Sequence, residues 1–287
     1  MPLHSIIIPH RNRNANLELC VWSLARSWGY TLARMDLEIL VVDAGSKQCP
    51  ACWNGEPVRV VLSPQQGTFN KSRLLNVGIE HAKGEVLTFL DADAVVGKRF
   101  LDNALRLLHD PTLTKYCYRV STLSPESAEQ LRRAVVGRDL LCDTFFERFN
   151  ESTLAFEAYG EPHRNGRFAQ MDGPVFGNSQ FSIRRDVLGD VRCDETFTGP
   201  GYEDIHFNFL IWKRHYDTYR AEMITEPDFS IFHIASPDGK ARADWQGKGC
   251  NEHNRQRYLY QLGRFRRELN QKESQANRRS DHAKARA

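Results

Sequence analysis

Two pairs of carboxylates stand out by their spacing. Asp91 closes the apolar run EVLTFLD at residues 85–91, and Asp93 follows two positions later. Side chains on a strand alternate between its two faces, so both carboxylates can point to the same side. Two carboxylates at the ligand-binding end of a sheet suit a hard divalent cation that also binds phosphate oxygens. A pair of solvated acids at the start of a loop is the alternative interpretation.

The second pair, Glu203 and Asp204, follows the glycine-rich turn TGPGY at residues 198–202 and opens a predicted helix. The helix dipole favours acids at this position, so a capping role explains them without any function. The functional interpretation is a carboxylate that is presented at the mouth of a pocket as a general base. The residues by themselves leave both interpretations open.

Basic residues follow the first apolar run of the chain. His10, Arg11 and Arg13 come directly after the proline that ends it. Cationic side chains at a strand end suit a phosphate or a nucleotide, and a solvated loop is the alternative.

His233 lies in the apolar stretch Phe-Ser-Ile-Phe-His-Ile. A histidine there is usually a packed core residue, and it gains interest only if the fold brings it to Asp93.

Other reactive motifs are weak or absent. Cys49 and Cys52 have CxxC spacing, but a zinc site needs four ligands and the sequence has no second CxxC. The sequence contains no Walker-type phosphate loop, no GxSxG nucleophile elbow, no HExxH metal motif and no GxGxxG dinucleotide fingerprint. The candidate chemistry therefore stays with the acidic and basic residues above.

The first half of the chain alternates predicted strands and helices, which would position these residues. Apolar runs predict strands at residues 5–9, 37–43, 58–62 and 85–91, and periodic patterns predict helices at residues 17–28, 70–82 and 100–109. Such alternation predicts an α/β domain with a mainly parallel sheet. Ligands bind beyond the carboxyl ends of such strands, where Asp43, Asp91 and Asp93 lie.

The second half of the chain is less regular. The sequence predicts a helix at residues 125–149, a loop at 158–174, a strand at 181–183, a helix with Ile205, Phe209 and Trp212 on one face, a strand at 228–234 and a final helix at 251–269. The residues after this last helix are polar and are expected to be partly disordered.

Composition restricts the class of protein. The 287 residues are 41% hydrophobic and 26% charged, which is typical of a globular chain with a substantial core. No run reaches the roughly 18 apolar residues that a membrane span needs, and the N-terminal apolar run is too short for a signal peptide. The seven scattered cysteines argue against a disulfide framework and favour a reducing cytoplasm.

Charge is distributed unevenly along the chain. The net charge is +3, but the last 26 residues contain eight Lys or Arg and three Asp or Glu. The body is thus near neutral, which excludes a surface built throughout for nucleic acid, and we expect no nucleic-acid partner. The basic tail is either a solvated helix end or a peripheral contact with an anionic membrane.

Five segments, in order along the chain, resemble those of GT-A glycosyltransferases in family 2 and in the related β-1,4-galactosyltransferase family. They are IIIPHRNR at residues 6–13, VVDAG at 41–45, FNKSRLLNVG at 69–78, FLDAD at 89–93 and GNSQFSIRRDVLGDVRCDETFTGPGYED at 177–204. The resemblance extends over about residues 5–235. It implies the GT-A fold, a Rossmann-like α/β fold with a mainly parallel central sheet flanked by helices and an acceptor-side C-terminal part.

The resemblance also implies a domain organisation. Residues 1–250 would form a single catalytic domain, with a nucleotide-sugar half at 1–120 and an acceptor half at 121–250. Residues 251–287 would form a C-terminal helix and a basic, partly disordered tail.

The implied activity is that of a metal-dependent, inverting glycosyltransferase. It would move a hexose or N-acetylhexosamine from a nucleotide diphosphate sugar, expected to be a UDP-sugar, to a hydroxyl of a glycan or lipid-linked glycan in polysaccharide biosynthesis. The resemblance implies that Mn²⁺ or Mg²⁺ is held by Asp91, Asp93 and His233. Asp204 is the implied catalytic base, and Glu203 would hold an acceptor hydroxyl.

Substrate-binding residues follow from the same resemblance. The implied nucleotide-sugar contacts are Pro9, Arg11, Arg13, Asp43, Arg73, Asn76 and Asp91. The implied acceptor contacts are Asn178, Gly201 and Tyr202. Pro200 stands where the galactosyltransferases have an acceptor-binding tryptophan, so Tyr202 would supply a different stacking face. The implied location is the cytoplasm, with a peripheral contact at the inner face of the membrane.

Three other classes of protein are the alternatives. A sugar nucleotidyltransferase needs a glycine-rich loop with a basic residue near the N-terminus, and the segment IIIPHRNRN has no glycine. A non-catalytic sugar- or nucleotide-binding protein on a GT-A scaffold would tolerate loss of the acids, yet all four of them are present. A nucleic-acid binder would depend on the basic tail alone.

Overall fold

The helices and strands are defined in a computed structural model that describes residues 3–31, 36–48, 57–118, 120–123, 128–129, 131–133, 154–155, 179–234 and 252–284. The helices in these ranges are α1 (Asn14–Tyr30), α2 (Lys71–His81), α3 (Asp102–His109), α4 (Arg185–Leu188), α5 (Glu203–Arg214) and α6 (Glu252–Lys284). The strands are β1 (Leu3–His10), β2 (Asp36–Asp43), β3 (Val58–Leu62), β4 (Val86–Phe89), β5 (Ala94–Val96), β6 (Lys115–Tyr118), β7 (Val120–Leu123), β8 (Leu154–Ala155), β9 (Phe181–Arg184), β10 (Ala221–Ile224) and β11 (Ile231–Ile234).

Several sequence-based predictions fall outside the described residues. They are most of the predicted helix at 125–149, the predicted loop at 158–174, the cysteines Cys49 and Cys52, and the acceptor candidate Asn178.

A seven-stranded sheet forms the centre of the fold, with the strand order β10-β6-β9-β4-β1-β2-β3. Neighbouring strands are parallel except for the two pairs that involve β9, which runs antiparallel to β4 and to β6. The α/β fold with a mainly parallel sheet is therefore as the sequence predicts. Parallel sheets are covered on both faces, which explains why the strands read as continuous apolar runs.

The central strand β1 shows how the two faces are covered. Its three consecutive isoleucines are fully buried, and their side chains alternate between the two sides of the sheet. Ile6 and Ile8 belong to the apolar cluster that contains Leu17 of α1. Ile7 belongs to the cluster on the opposite face, with Leu74 of α2. One strand thus connects the two halves of the core.

Helix α2 lies unusually close to the sheet. A Cβ atom built at Gly78 would lie 2.3 Å from the Cγ2 atom of Ile7, so only glycine permits this approach without a shift of the neighbour. The helix lies in the connection between the parallel strands β3 and β4, so its N-terminus faces the edge where these strands end. This packing positions the first residue of the helix, Lys71, at that edge.

A second, smaller sheet has the strand order β5-β11-β7-β8. Strand β11 runs antiparallel to β5, with His233 opposite Ala94. The backbone N–H of Ile234 donates to the carbonyl of Asp93 at 2.8 Å. This pairing carries His233 to the end of the Asp-x-Asp segment, although the two lie far apart in the sequence.

Helix α6 extends over Glu252–Lys284, well beyond the predicted end at residue 269. Its apolar residues Tyr258, Leu262 and Phe265 are buried in one cluster with Phe209 and Trp212 of α5.

Among the described residues, no helix combines the length and the apolar character that crossing a bilayer requires.

Candidate active site at the carboxyl edge of the sheet

The carboxyl ends of β1, β2 and β4 meet at one edge of the central sheet. His10 ends β1, Asp43 ends β2, and Asp91 follows shortly after β4. Because these three strands are parallel neighbours, their last residues lie side by side. The predicted clustering of the strand-end aspartates therefore rests on the topology of the sheet.

His10 and Asp43 form a buried pair at the centre of this edge. The Nδ1 atom of His10 lies 2.8 Å from Oδ1 of Asp43, and both side chains are almost completely buried. The Nε2 atom accepts the backbone N–H of Arg13 at 3.2 Å, so the ring proton lies on Nδ1 and is donated to Asp43. His10 is therefore a buried link between strands rather than an exposed side chain.

Both carboxylate oxygens of Asp43 already have partners. The backbone N–H groups of Gly45 and Ser46 donate to Oδ2 at 3.0 and 2.9 Å, and the Ser46 hydroxyl donates to Oδ1. Burial alone would raise the pKa of Asp43, but the hydrogen bonds from Ser46, His10 and Gly45 outweigh it and lower the pKa. In this structure Asp43 fixes the loop after β2.

The arginines after β1 reach across the same edge. The guanidinium of Arg13 donates to the buried Oδ2 atom of Asp93 while half of its side chain stays exposed. Arg11 is half-buried and donates to the carbonyl of Gly67 at 2.7 Å. Pro9 lies within β1, opposite Val42 of β2.

Asp93 lies between Arg13 and His233. Its Oδ1 atom is 3.1 Å from Nε2 of His233, and its Oδ2 atom is paired with Arg13. Burial alone would raise the pKa of Asp93, but the charge and hydrogen bond of His233 and the charge of Arg13 lower it. For His233, the nearby Asp93 charge outweighs burial and raises the pKa. The buried carboxylate is thus held in its charged form.

Asp91 faces the N-terminus of α2. Its Oδ1 atom forms an ion pair with Nζ of Lys71, and its Oδ2 atom accepts the Ser179 hydroxyl at 3.0 Å. The Lys71 side chain is 15% exposed in this pair. Lys71 therefore occupies the interior of the site rather than its surface.

Lys71 also connects the two acidic pairs. Burial alone would lower the pKa of Lys71, but the charge of Asp91 outweighs it and raises the pKa. The charges of Glu203 and Asp204 act in the same direction. Lys71 thus pairs directly with Asp91, and its charge is also influenced by the second acidic pair.

Sequence reasoning missed Lys71 and selected Arg73. Arg73 is exposed and lies two residues further along α2. Two residues of an α-helix are separated by about 200° around its axis, so the two side chains leave the helix in nearly opposite directions. The signal that could have found Lys71 is a basic residue at the first position of a helix whose N-terminus faces the aspartates.

Asn76, another predicted nucleotide-sugar contact, is buried on α2 and bonded to the segment before α5. Its Oδ1 atom accepts the backbone N–H of Cys193 at 2.8 Å, and its Nδ2 atom donates to the Cys193 carbonyl and to Glu195, both at 2.9 Å. These bonds connect α2 to the acceptor-side segment.

The turn before α5 has an unusual backbone. Gly199 and Gly201 have φ angles of 72° and 100°, and Tyr202 has a φ of 68° although it carries a Cβ atom. A bulky residue in this left-handed region is a genuine outlier, and such residues concentrate at functional sites. The turn directs the next two residues, Glu203 and Asp204, into the first turn of α5.

The environments of Glu203 and Asp204 raise the pKa of each carboxyl group, whereas the environment of Asp93 lowers its pKa. Burial and the charge of Glu203 raise the pKa of Asp204 to about 7, against the opposing charge of Lys71. Burial also raises the pKa of Glu203. The Glu203 Oε2 atom is buried, and no described residue hydrogen-bonds it. A carboxyl group that titrates near 7 has the affinity for a proton that general bases need.

The metal candidates form only part of a ligand set. Within residues that the structure describes, no three His, Cys, Asp or Glu side chains lie close enough together to hold a metal ion. Asp93 and His233 are adjacent, whereas Asp91 faces Lys71 and Ser179. Such a pair fits a cation that takes its other ligands from water and substrate phosphates, as Mg²⁺ usually does.

Comparisons with known proteins show which families the chain resembles. A family model described as glycosyl transferase family 2 matches residues 5–190. The glycosyltransferase AglE of Haloferax volcanii is 27% identical to the chain over 113 residues, which is 37% of this chain and 35% of AglE.

Solved structures are similar in fold. The structure of S. aureus TarS residues 1–349 in complex with UDP has a TM-score of 0.52 at 18% identity and covers 85% of this chain. The complex of the same protein with UDP-GlcNAc has a TM-score of 0.52 at 17% identity and covers 82%. The chain spans 63% and 59% of those two chains. These likenesses confirm the GT-A type of fold, while the galactosyltransferase-like subtype stays a prediction.

Proposed function

The chain belongs to glycosyl transferase family 2, and from this premise we propose that it transfers a sugar from a nucleotide diphosphate sugar to an acceptor hydroxyl. The observation that carries the proposal is the ion pair of Lys71 with Asp91, together with the electrostatic influence of Glu203 and Asp204 on the same lysine. One acidic pair follows β4 at the end where donors bind in sheets of this kind. The other pair opens α5 after the strained turn.

For the donor we propose a UDP-sugar. The support is the fold shared with TarS, whose structures contain UDP and UDP-GlcNAc. Arg11 and Arg13 at the end of β1 offer guanidinium groups that suit the diphosphate. Lys71 adds a buried positive charge beside Asp91. The transferred unit would be a hexose or an N-acetylhexosamine.

We assign the cation, Mn²⁺ or Mg²⁺, to Asp93 and His233, with Asp91 nearby. When bound, the cation neutralises the charge that develops on the leaving diphosphate. A histidine ligand favours Mn²⁺ over Mg²⁺. The carboxylate of Asp93 pairs with both Arg13 and His233. When the donor binds, Arg13 would release this carboxylate and bind the phosphate oxygens of the donor instead.

For the acceptor step we propose Asp204 as the base. Its carboxylate would take the proton of the acceptor hydroxyl as that oxygen attacks the anomeric carbon. Glu203, whose Oε2 atom is buried without a described partner, would orient the acceptor through a hydrogen bond. A base on the acceptor side implies one in-line displacement, and therefore inversion of the anomeric configuration.

The acceptor class that we propose is a glycan or lipid-linked glycan in polysaccharide biosynthesis. Gly201 and Tyr202 would contact it, since they immediately precede the two acids.

We propose a reducing cytoplasm as the compartment, because Cys20, Cys117 and Cys193 are buried free thiols. A contact with the inner face of the membrane through the basic tail belongs to the same proposal.

A donor panel tests the proposed activity. Nucleotide release is measured for each sugar nucleotide with Mn²⁺, with and without candidate glycan acceptors. We expect acceptor-dependent release from one donor class, with UDP-sugars favoured. If no sugar nucleotide is consumed while UDP still binds, the alternative of a non-catalytic nucleotide-binding protein on this scaffold is supported instead.

Membrane contact through the tail makes a separate prediction. Each basic residue near an anionic surface contributes about 1 kcal/mol, so replacing Arg278 and Arg279 by glutamine should lower partitioning onto anionic vesicles about 30-fold. The measurement is co-sedimentation at low salt with anionic and with neutral vesicles. The control replaces the exposed residues Lys83 and Arg133 of the body by glutamine and should change little. Equal retention of the intact chain on both vesicle types would contradict the contact.

A further inference from the structure

The first turns of α6 contact the strained turn that precedes α5. We propose that α6 is part of the active site, because residues 254–258 hold the turn at 198–202 in the conformation that directs Glu203 and Asp204 at the acceptor. This inference rests on the proposed function. It assigns a positioning role to a helix that follows the catalytic domain in the organisation expected from the sequence.

Asn254 makes the central contact. Its side chain is fully buried, and its Nδ2 atom donates to the carbonyls of Thr198 at 3.2 Å and Gly201 at 2.9 Å. These two carbonyls lie on either side of the turn. One amide group of α6 therefore fixes both arms of the turn at once.

Tyr258 of α6 packs against the side chain of Tyr202. The two rings are tilted, and their centroids lie 5.7 Å apart. Tyr202 is the residue with a Cβ atom in the left-handed region of backbone space. Such a conformation persists only where the surroundings enforce it, and α6 supplies these surroundings.

The turn at 198–202 also sets the position of Glu203 and Asp204, which follow it directly. The carbonyl of Gly201 accepts the Asn254 side chain, and Gly201 lies two residues before Glu203, the first residue of α5. A shift of Gly201 would therefore move the Glu203 carboxylate. Displacements of about 1 Å in a catalytic group can cost about 10²-fold in rate.

The remainder of α6 is docked firmly enough to serve as an anchor. Gln261 accepts a hydrogen bond of 2.7 Å from His206 of α5, in which the ring nitrogen is the donor. Leu262 and Phe265 are buried in the cluster that α5 and α6 share. The match to the family model ends at residue 190, so both the turn and α6 lie in the part of the chain that follows it.

The test compares full-length variants of Asn254. Asn254→Leu keeps the number and branching of the side-chain heavy atoms but cannot donate. We expect kcat to fall about tenfold or more, with the Kd for UDP nearly unchanged, because the donor half of the site is untouched. Hydrogen–deuterium exchange should rise in a peptide spanning residues 199–206 and stay constant in α1. If Asn254→Leu does not fold, Asn254→Ser, which keeps a donor, is compared with Asn254→Ala.

The matched control is Leu107→Ala, a change at a fully buried residue of α3 whose apolar cluster is separate from the one that α5 and α6 share. It should lower Tm but leave kcat nearly unchanged at temperatures where the chain is folded. The inference fails if the Asn254 variants keep the wild-type kcat and the wild-type exchange rate at the turn, or if Leu107→Ala loses as much kcat when fully folded. Hydrogen–deuterium exchange at the turn is measured without substrate. If the wild-type chain is inactive in the donor panel, the proposed function is refuted, but the exchange experiment still tests whether α6 anchors the turn.

Discussion

Replacing Asp204 by asparagine should lower kcat by about 10²-fold or more while donor binding is retained. The substitution keeps the shape of the side chain and removes the oxygen that takes the acceptor proton. The hydrogen bond of 2.8 Å from the backbone N–H of Ile205 can still be accepted by the amide oxygen, so the start of α5 should be preserved. The measurement is kcat with donor and acceptor, beside the Kd for UDP.

The pH profile gives an independent check of the same residue. Burial and Glu203 raise the pKa of Asp204 from 3.8 to about 7. A base works in its deprotonated form, so kcat should be full above this pKa and should fall as the pH decreases through about 7. Asp190→Asn, on a largely exposed residue paired with Arg214, is the control. A product with retained anomeric configuration, read from NMR coupling, would refute the mechanism.

Removal of the metal is expected to have the other large effect. A chelator should abolish activity, and Mn²⁺ should restore it. Asp93→Ala should lower kcat/KM by about 10³-fold, since a bound cation supplies several kcal/mol of charge stabilisation in the transition state. The same variant should lose the Mn²⁺-dependent part of UDP binding. Asp186→Ala, at an exposed acid paired with Arg184, should behave as the wild type. Full activity of Asp93→Ala, or in the presence of the chelator, would contradict the metal assignment.

The strands that sequence reasoning found are those with long apolar runs. β1, β2, β3 and β4 are covered on at least one face by helices, so their apolar character is visible in the sequence. β6 was missed because its first residue is a lysine. Lys115 is fully buried and paired with the side chain of Asn208 on α5, which compensates for its burial. A strand with such a compensated charge cannot be distinguished from a loop by periodicity.

The packing face of α1 shows why apolar spacing can mislead. The spacing predicts Trp28 on the buried face, but Trp28 is 50% exposed. Ser23 and Ser27 face the sheet instead, where their hydroxyls accept the backbone N–H groups of Val96 at 3.0 Å and Leu101 at 3.1 Å. Buried backbone donors need partners, and two small hydroxyl residues provide them. The buried face is therefore rotated toward the serines.

For the site, sequence reasoning could identify the acids but not their partners. Asp91, Asp93, Glu203 and Asp204 lie at element ends, which the sequence predicts. The ion pair of Asp91 with Lys71 and the contact of α6 with the turn before Glu203 depend on how distant elements pack, and no local pattern encodes that packing. The same holds for His233, which reaches Asp93 through the antiparallel pairing of β11 with β5.

The antiparallel strand β9 has a consequence for the order in which this chain folds. Thr88 of β4 pairs with Ser182 of β9, 94 residues further along the chain. β6 joins the sheet through β9 on one side and β10 on the other, so it has no partner strand until those later segments have been synthesised. Contacts between such distant segments form slowly, and an unpaired strand edge can pair with another molecule in the meantime. The first four strands can assemble early on the ribosome, whereas the edge of β4 stays open to aggregation until β9 closes it.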